Sequence, residues 1–219
     1  GIQVKYSNDT ENTILKAEKM LVAIGVRPNT ENIGLEETGV ELDRGFIKVD
    51  EFYRTNVPGV YAIGDCIGGV LLAHVASTEG ITCIEKIAGH DVQPIDSTAI
   101  PGCIYCQPQV ASIGLSEEKA KEQGYELKIG KYPFRANGKS VAAGETEGFV
   151  KLIFDAQYGE LLGAHIIGHE ATEMIAEMGL AKTLESTYLE ILKTIHAHPT
   201  VSESIMEAAG NAYGEAIHI

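Results

Sequence analysis

Two histidines and a carboxylate stand close together near the end of the chain, where residues 196–203 are His-Ala-His-Pro-Thr-Val-Ser-Glu. Glu203 lies five positions after His198, one turn into a predicted helix, and from there a carboxylate can reach back to an imidazole. Such a contact orients the ring and fixes its tautomer, which suits the pair to acid–base catalysis. The same residues also fit a capping box, in which Glu203 binds the backbone N–H of Thr200 and the histidines line a loop. The residues alone leave both interpretations open.

A second carboxylate, Asp65, ends a predicted buried strand and is followed by Cys-Ile-Gly-Gly at residues 66–69. In open α/β sheets, ligands bind outside the carboxyl ends of the strands, where a carboxylate can accept hydrogen bonds from ligand hydroxyls. The alternative is an ordinary aspartate in the turn that follows a strand. The local pattern by itself favours the ordinary turn.

Two further groups have spacings that are known from redox or metal sites. Cys103 and Cys106 form a CxxC, but no second CxxC accompanies them and no helix follows to lower a thiol pKa. We therefore interpret both as structural thiols. His165, His169 and Glu173 are spaced by four, which on a helix would turn all three toward one metal ion. His165 lies on a predicted strand, so we predict no metal site.

The elements that must position these residues follow from hydrophobic periodicity and from turn residues. In the first part of the chain we predict a hairpin at residues 4–16, with its turn at 7–10, and a helix at residues 73–88. We also predict three strands there, at residues 20–24, 46–49 and 60–63. In the second part we predict strands at residues 104–113, 148–154 and 161–167. We predict helices at residues 116–123, 170–184 and 200–213. Buried strands beside a helix in residues 20–90 indicate part of an α/β sheet. In the second part of the chain, strands followed by helices indicate an α+β domain with an antiparallel sheet.

Composition narrows the possible partners. The formal net charge of −14 repels phosphate backbones, and no basic stripe offsets it, so we predict no nucleic-acid partner. No apolar run approaches the roughly 18 residues of a membrane span, and we expect neither a leader peptide nor a membrane partner. Four cysteines suit the reducing cytoplasm. Residue 1 is Gly, and residues 1–6 are already strand-like, so we expect the chain to begin inside a longer protein.

Two strings resemble motifs of the flavoprotein disulfide reductases, a family with two dinucleotide-binding domains. Residues 55–65, Thr-Asn-Val-Pro-Gly-Val-Tyr-Ala-Ile-Gly-Asp, resemble its second flavin-binding motif. The resemblance implies that Asp65, after Gly64, hydrogen-bonds the ribityl chain of FAD. It also implies that the helix start at Leu72 and Ala73 faces the flavin ring, where backbone N–H groups stabilise negative charge.

Residues 196–203 resemble the His–Glu pair of the same family. By that resemblance His198 is the catalytic base, Glu203 its partner, and His196 a neighbour of the pair. The His-Ala-His-Pro form followed by Ser-Glu is most similar to the members that oxidise a dihydrolipoyl dithiol, passing electrons through an enzyme disulfide and FAD to NAD+.

The resemblance also implies a domain plan and partners. Residues 1–28 would end an NAD-binding domain, residues 29–97 would form the C-terminal segment of an FAD-binding domain, and residues 98–219 would form a dimerisation domain. The implied cofactors are FAD and NAD. The implied partners are a second copy in a homodimer and a lipoylated acyltransferase or carrier protein of a 2-oxoacid dehydrogenase or glycine cleavage complex.

Three parts of the family pattern do not occur in this sequence: the GxGxxG turn for the ADP half of FAD, a CxxxxC redox pair, and the GxGxxG turn for NAD. We therefore expect a C-terminal fragment that is inactive by itself and binds neither cofactor tightly. Two alternatives remain open. One is a non-catalytic dimerisation or docking module, and the other is a different reductase of the family, acting for example on glutathione disulfide or mercuric ion.

Overall fold

The computed structural model describes residues 1–7 and 11–218, and it divides the chain into two compact units, Gly1–Ile95 and Asp96–Ile219. The described residues of the first unit form four strands and two helices. In chain order these are β1 (Ile2–Ser7), β2 (Asn12–Ala17), α1 (Leu35–Thr38), β3 (Leu42–Asp43), β4 (Phe46–Ile47) and α2 (Ala73–Ile87). A 3-10 turn at Gly64–Ile67 precedes α2.

Several predictions for the first unit are confirmed. Strands β1 and β2 form the antiparallel hairpin, with Ile2 opposite Ala17 and Ser7 opposite Asn12. The predicted turn at residues 7–10 involves residues 8–10, which lie outside the described residues. The short strand β4 and the helix α2 also form, and α2 ends before Gly89, whose φ of 83° is the left-handed conformation that glycine adopts readily.

Two predicted buried strands of the first unit are wrong. Residues 20–24 form no strand, and Leu21 and Ile24 are 90% and 93% exposed. A strand buried on both faces needs neighbours on both sides, and within residues 1–7 and 11–218 no strand pairs with this segment. Residues 60–63 form only one isolated bridge, between Tyr61 and Arg54, before the chain enters the 3-10 turn.

The second unit is an α+β domain built on one antiparallel sheet. Its elements in chain order are β5 (Gly102–Ile104), β6 (Gln109–Gly114), α3 (Glu117–Glu122), β7 (Leu127–Pro133), α4 (Gly138–Ala143), β8 (Gly148–Asp155), β9 (Leu161–Gly168), α5 (Ala171–Thr183), α6 (Tyr188–Lys193) and α7 (Glu203–Tyr213). The strands lie in the order β5-β6-β9-β8-β7. Helix α5 packs on β6 and β9, and α7 packs on β7 and β8.

The core of this unit follows from the alternation of side chains along a strand. Leu152 and Phe154 of β8 are fully buried in the main cluster with α5 and α7, whereas Ile153 between them points to a second cluster with Ala120 of α3. Each buried aliphatic or aromatic side chain of this size contributes about 1.5–3 kcal/mol relative to exposure. The sheet is therefore covered on both faces, and α5 and α7 are fixed against it.

Several predictions for the second unit need correction, and β7, α4 and α6 were not predicted. The single strand at residues 104–113 is two strands, β5 and β6, separated by residues 105–108, where Pro108 has no N–H to donate to a sheet. The β8–β9 hairpin and α3 with its Ser116 cap are confirmed, and α5 runs close to its predicted bounds. The last helix begins at Glu203 rather than Thr200. Over the described part of the chain, no helix is long and apolar enough to cross a membrane.

Candidate functional site

The structure brings His198 and Glu203 together at the start of α7. The Nδ1 atom of His198 lies 2.9 Å from Oε1 of Glu203, and Oε2 of Glu203 accepts the backbone N–H of Thr200 at 2.8 Å. Oε1 makes the contact expected for the acid–base pair, whereas only half of the capping box forms. Oε2 accepts the Thr200 N–H, but the N-cap of α7 is Ser202 and Thr200 Oγ1 donates to the Ala197 carbonyl. Glu203 binds the imidazole and the backbone N–H at the same time.

The ionisation of Glu203 determines which nitrogen of His198 is free. Burial raises the pKa of Glu203, but the hydrogen bonds from the Thr200 N–H and from His198 more than offset it, so this pKa lies below its ordinary value. An ionised carboxylate only accepts, so Nδ1 of His198 carries a hydrogen. The side chain of His198 is 77% exposed, which leaves Nε2 open to a reacting molecule.

His196 forms a second pair beside the first. Its Nε2 atom lies 2.8 Å from Oε1 of Glu177 on α5, and its Nδ1 atom lies 2.9 Å from the carbonyl oxygen of Thr194. Sequence reasoning placed His196 near the site but missed Glu177. Nineteen residues separate the two in the chain, and no local spacing signals the contact.

An open cavity of about 350 Å³ adjoins this region. It lies between α5 and residues 199–202, and Glu173, Glu177, Lys139 and Ser202 are among the residues that line it. Glu177 therefore binds His196 and also faces a space that solvent can enter. The lining is charged on several sides, which distinguishes this cavity from the apolar core beneath it.

Gly64, Asp65, Leu72 and Ala73 belong to one local structure in the first unit. The 3-10 turn that carries Asp65 packs against α2, and Asp65 itself is exposed. The N-cap of α2 is Leu72, which makes no side-chain capping bond. The positive end of α2 and its first backbone N–H groups can therefore interact with a negatively charged ligand.

Glu79 holds this turn in place, and sequence reasoning missed it. Its Oε2 atom accepts the backbone N–H of Gly64 at 2.6 Å, and Glu79 is buried. A side chain at Gly64 would meet the Cβ of Ala76 at 3.2 Å, so the turn approaches α2 closely. The signal available in the sequence was an acidic residue on the same face of α2 as the buried Val75 and Cys83.

The side chains of the two other groups have separate surroundings in the structure. Burial raises the pKa of the Cys103 thiol, and the cysteines at 103 and 106 are both free, which fits structural thiols. The Nε2 atom of His165 lies 3.1 Å from the carbonyl oxygen of Leu115, and His169 pairs instead with Glu170 at 3.2 Å. Among residues 1–7 and 11–218, no cluster of three or more metal-binding side chains occurs.

Sequence reasoning also missed a further His–Glu pair near the end of the chain. His218 Nδ1 lies 2.6 Å from Oε1 of Glu207, whose side chain is buried. Glu207 also accepts the backbone N–H of Ile217 at 2.9 Å. This pair fastens the last described residues to α7.

Comparison with protein families gives two matches along the chain. Residues 1–80 match the family described as pyridine nucleotide-disulphide oxidoreductase, and residues 100–209 match the dimerisation domain of that family. These matches confirm the predicted fold class, an α+β dimerisation domain preceded by part of an α/β nucleotide-binding domain. The finer boundaries at residues 28 and 97 stay predictions.

Individual relatives point the same way. The chain is 57% identical over 199 residues to dihydrolipoyl dehydrogenase of Zymomonas mobilis, covering 90% of this chain and 43% of the relative. It is 50% identical over 217 residues to dihydrolipoyl dehydrogenase of Bacillus subtilis, covering 99% and 46%. The chain thus spans less than half the length of these relatives.

Solved structures share the fold. LpdA from Mycobacterium tuberculosis superposes with a TM-score of 0.86 at 30% identity, over 91% of this chain and 44% of that one. The flavoprotein disulfide reductase RclA from Escherichia coli superposes with a TM-score of 0.87 at 24% identity, over 95% and 48%, and this likeness concerns the fold alone.

Proposed function

Because this chain belongs to the pyridine nucleotide-disulphide oxidoreductase family, we propose that it supplies the acid–base pair and part of the flavin site of a dihydrolipoyl dehydrogenase. The contact that carries the proposal is the 2.9 Å hydrogen bond between His198 and Glu203, with Nε2 of the ring exposed. The whole enzyme would oxidise a dihydrolipoyl dithiol through its own disulfide and FAD to NAD+. The names and identities of the relatives support this choice of substrate.

We assign the proton transfer of this reaction to His198. Its Nε2 atom takes the proton of a substrate thiol, because Nδ1 is already protonated and bound to Glu203. The thiolate that results is the form that attacks a disulfide. Glu203 then faces the positive charge on the ring and stabilises it, as a carboxylate does in other histidine-based sites. Glu203 can do this because its lowered pKa keeps it ionised.

The residues of the first unit fit a flavin dinucleotide. Asp65 is an exposed acceptor for ribityl hydroxyls, and the close packing of Gly64 on α2 sets its position. The start of α2 at Leu72 and Ala73 offers backbone N–H groups and a positive dipole end for negative charge. FAD, when bound, would accept the electrons that the enzyme disulfide takes from the dithiol.

We infer that the chain forms a symmetric homodimer through residues from about 98 onward, since residues 100–209 match a dimerisation domain. Sedimentation at micromolar concentration should show a species of twice the mass of one chain. A protein that sediments only as monomer under these conditions would contradict this assignment.

We propose an acyltransferase or carrier protein as the lipoylated partner of the enzyme. We also propose that the enzyme is cytoplasmic, because its four cysteines are free thiols.

The substrate class is tested on the full-length flavoprotein that contains this chain. We expect it to reduce NAD+ with dihydrolipoamide, and to show far lower activity with NADPH and glutathione disulfide or mercuric ion. Preference for either of the latter substrates would move the protein to another branch of the family. A flavin-free protein without activity toward any of the three would identify a dimerisation or docking module.

A further inference from the structure

The ring of His196 faces an acceptor on both sides. The carbonyl oxygen of Thr194 lies 2.9 Å from Nδ1 and cannot donate, so Nδ1 must carry a hydrogen. On the other side, a Glu177 carboxylate oxygen lies 2.8 Å from Nε2, and an ionised carboxylate cannot donate either. At neutral pH, where a carboxylate is the ordinary form of a glutamate side chain, the two contacts place a hydrogen on each ring nitrogen. His196 is then an imidazolium, although its side chain is only 4% exposed.

The electrostatics of the pair agree with this geometry. The hydrogen bond that His196 donates to Glu177 raises the pKa of His196, burial opposes the increase, and the bond to the Thr194 carbonyl adds to it, so the pKa lies above its ordinary value. Two carboxylates face the imidazolium from two helices: Glu177 of α5 makes contact, and Glu203 of α7 acts at longer range. The charge on His196 in turn favours the ionised form of Glu203.

The position of His196 in the chain connects this cation to the acid–base site. His196 stands two residues before His198 in the segment between α6 and α7. Its neighbours in this segment offer little packing, because Ile195 is 96% exposed and residues 197–199 are exposed as well. The segment is also held by hydrogen bonds from Thr200 Oγ1 to the Ala197 carbonyl and from Asn137 to the Thr200 carbonyl. At its end, Glu203 binds His198 and the Thr200 N–H.

We propose that His196 is a cationic positioning residue that Glu177 binds to α5, and that this ion pair fixes the segment carrying His198. The inference rests on the proposed function, in which His198 transfers the proton. Neither His196 nor Glu177 contacts the reacting atoms in this proposal. They set the place and direction of Nε2 of His198, and a small misplacement of a catalytic group can cost about 10²-fold in rate.

Kinetics of the full-length flavoprotein test the positioning role. Glu177→Ala removes the partner of a buried cation, and we expect kcat with dihydrolipoamide to fall about tenfold or more, with KM and flavin content little changed. In Glu177→Gln the amide can donate to a neutral Nε2 while Nδ1 still donates to Thr194, so the position is kept and most of kcat is retained. Glu173→Gln, one turn earlier on α5 and exposed, is the matched control and should behave as wild type.

Nitrogen-15 NMR of the histidine rings in the 219-residue chain tests the charge without any need for turnover. Both ring nitrogens of His196 should give protonated signals at neutral pH, and one should lose its proton in Glu177→Gln. The Nδ1 signal of His198 should be perturbed in Glu177→Ala and preserved in Glu177→Gln.

The outcomes separate this inference from the proposed function. A neutral His196 in the wild-type spectrum, or an unchanged kcat in Glu177→Ala, would overturn the inference while His198 keeps its role. A flavoprotein inactive toward dihydrolipoamide would reject the proposed function, and the ring spectra would still decide whether His196 is a cation that fixes His198. If Glu177→Ala does not fold, loss of one His196 ring proton in Glu177→Gln supports the inference, and retention of both rejects it.

Discussion

Replacing His198 with alanine should lower turnover of dihydrolipoamide in the full-length flavoprotein by about 10²–10⁴-fold, the usual contribution of a general base. Flavin content should not change, because the residues that fit FAD belong to the first unit of the chain, whereas His198 belongs to the second. Stopped-flow reduction of the flavin by dihydrolipoamide, measured alongside steady-state rates, would show the loss in the step that forms the thiolate.

Two variants accompany this experiment. Glu203→Gln should lose less activity than His198→Ala, since the amide oxygen can still accept the Nδ1 hydrogen of His198, but the amide lacks the charge that faces an imidazolium and its NH2 group cannot accept the Thr200 N–H. His90→Ala changes an exposed histidine after α2 and should have no effect. Full activity in His198→Ala would leave Glu203 with only its capping role, and the proton transfer would need another group.

The pair of His198 and Glu203 could be predicted because both residues lie within one turn of a helix start. Spacing alone brings them within reach, and a capping box and an acid–base pair need the same placement of the carboxylate. What spacing did not indicate is that the two roles are compatible. Glu203 has two oxygens, and the geometry gives one to the ring and one to the backbone.

Contacts across the fold could not be predicted in this way. Glu177 reaches His196 only because α5 and the segment before α7 meet in three dimensions, and nothing in the spacing of the two residues encodes that meeting. Glu79 is an intermediate case. Its position among the buried residues of α2 predicts that its carboxylate accepts a hydrogen bond. The donor is the backbone N–H of Gly64.

The two incorrect strands show a limit of hydrophobic patterns. An apolar run such as residues 20–24 indicates that the segment favours burial, but it does not identify the strands beside it. In the antiparallel sheet of the second unit, β8 and β9 were predicted, whereas β5 and β6 were predicted as one strand and β7 was not predicted. Residues 148–167 form a hairpin whose two strands are consecutive in the chain, which is the most local pairing available.

Replacing Gly130 with alanine should strongly destabilise the second unit. A Cβ atom at Gly130 of β7 would lie 1.8 Å from the carbonyl oxygen of Ala208 and 2.9 Å from the backbone nitrogen of Ala212, both on α7. Backbone atoms cannot rotate away as a side chain can, so the helix or the strand must move. Overpacking in a core costs typically about 1–3 kcal/mol, and we expect about 3 kcal/mol here. For a chain of this size, that corresponds to a fall in melting temperature of about 6–12 °C.

The same substitution should also weaken the acid–base site, because Glu203 is the first residue of α7 and moves with it. A shifted helix would lengthen the 2.9 Å contact with His198, so the folded fraction of Gly130→Ala should turn over more slowly than wild type. Gly138→Ala is the control, since nothing lies within 4 Å of a Cβ atom at that position, and its stability should stay within about 1 kcal/mol of wild type. If Gly130→Ala melts at the wild-type temperature, the close approach of β7 and α7 does not fix this helix. The position of Glu203 would then depend on its own hydrogen bonds to Thr200 and His198.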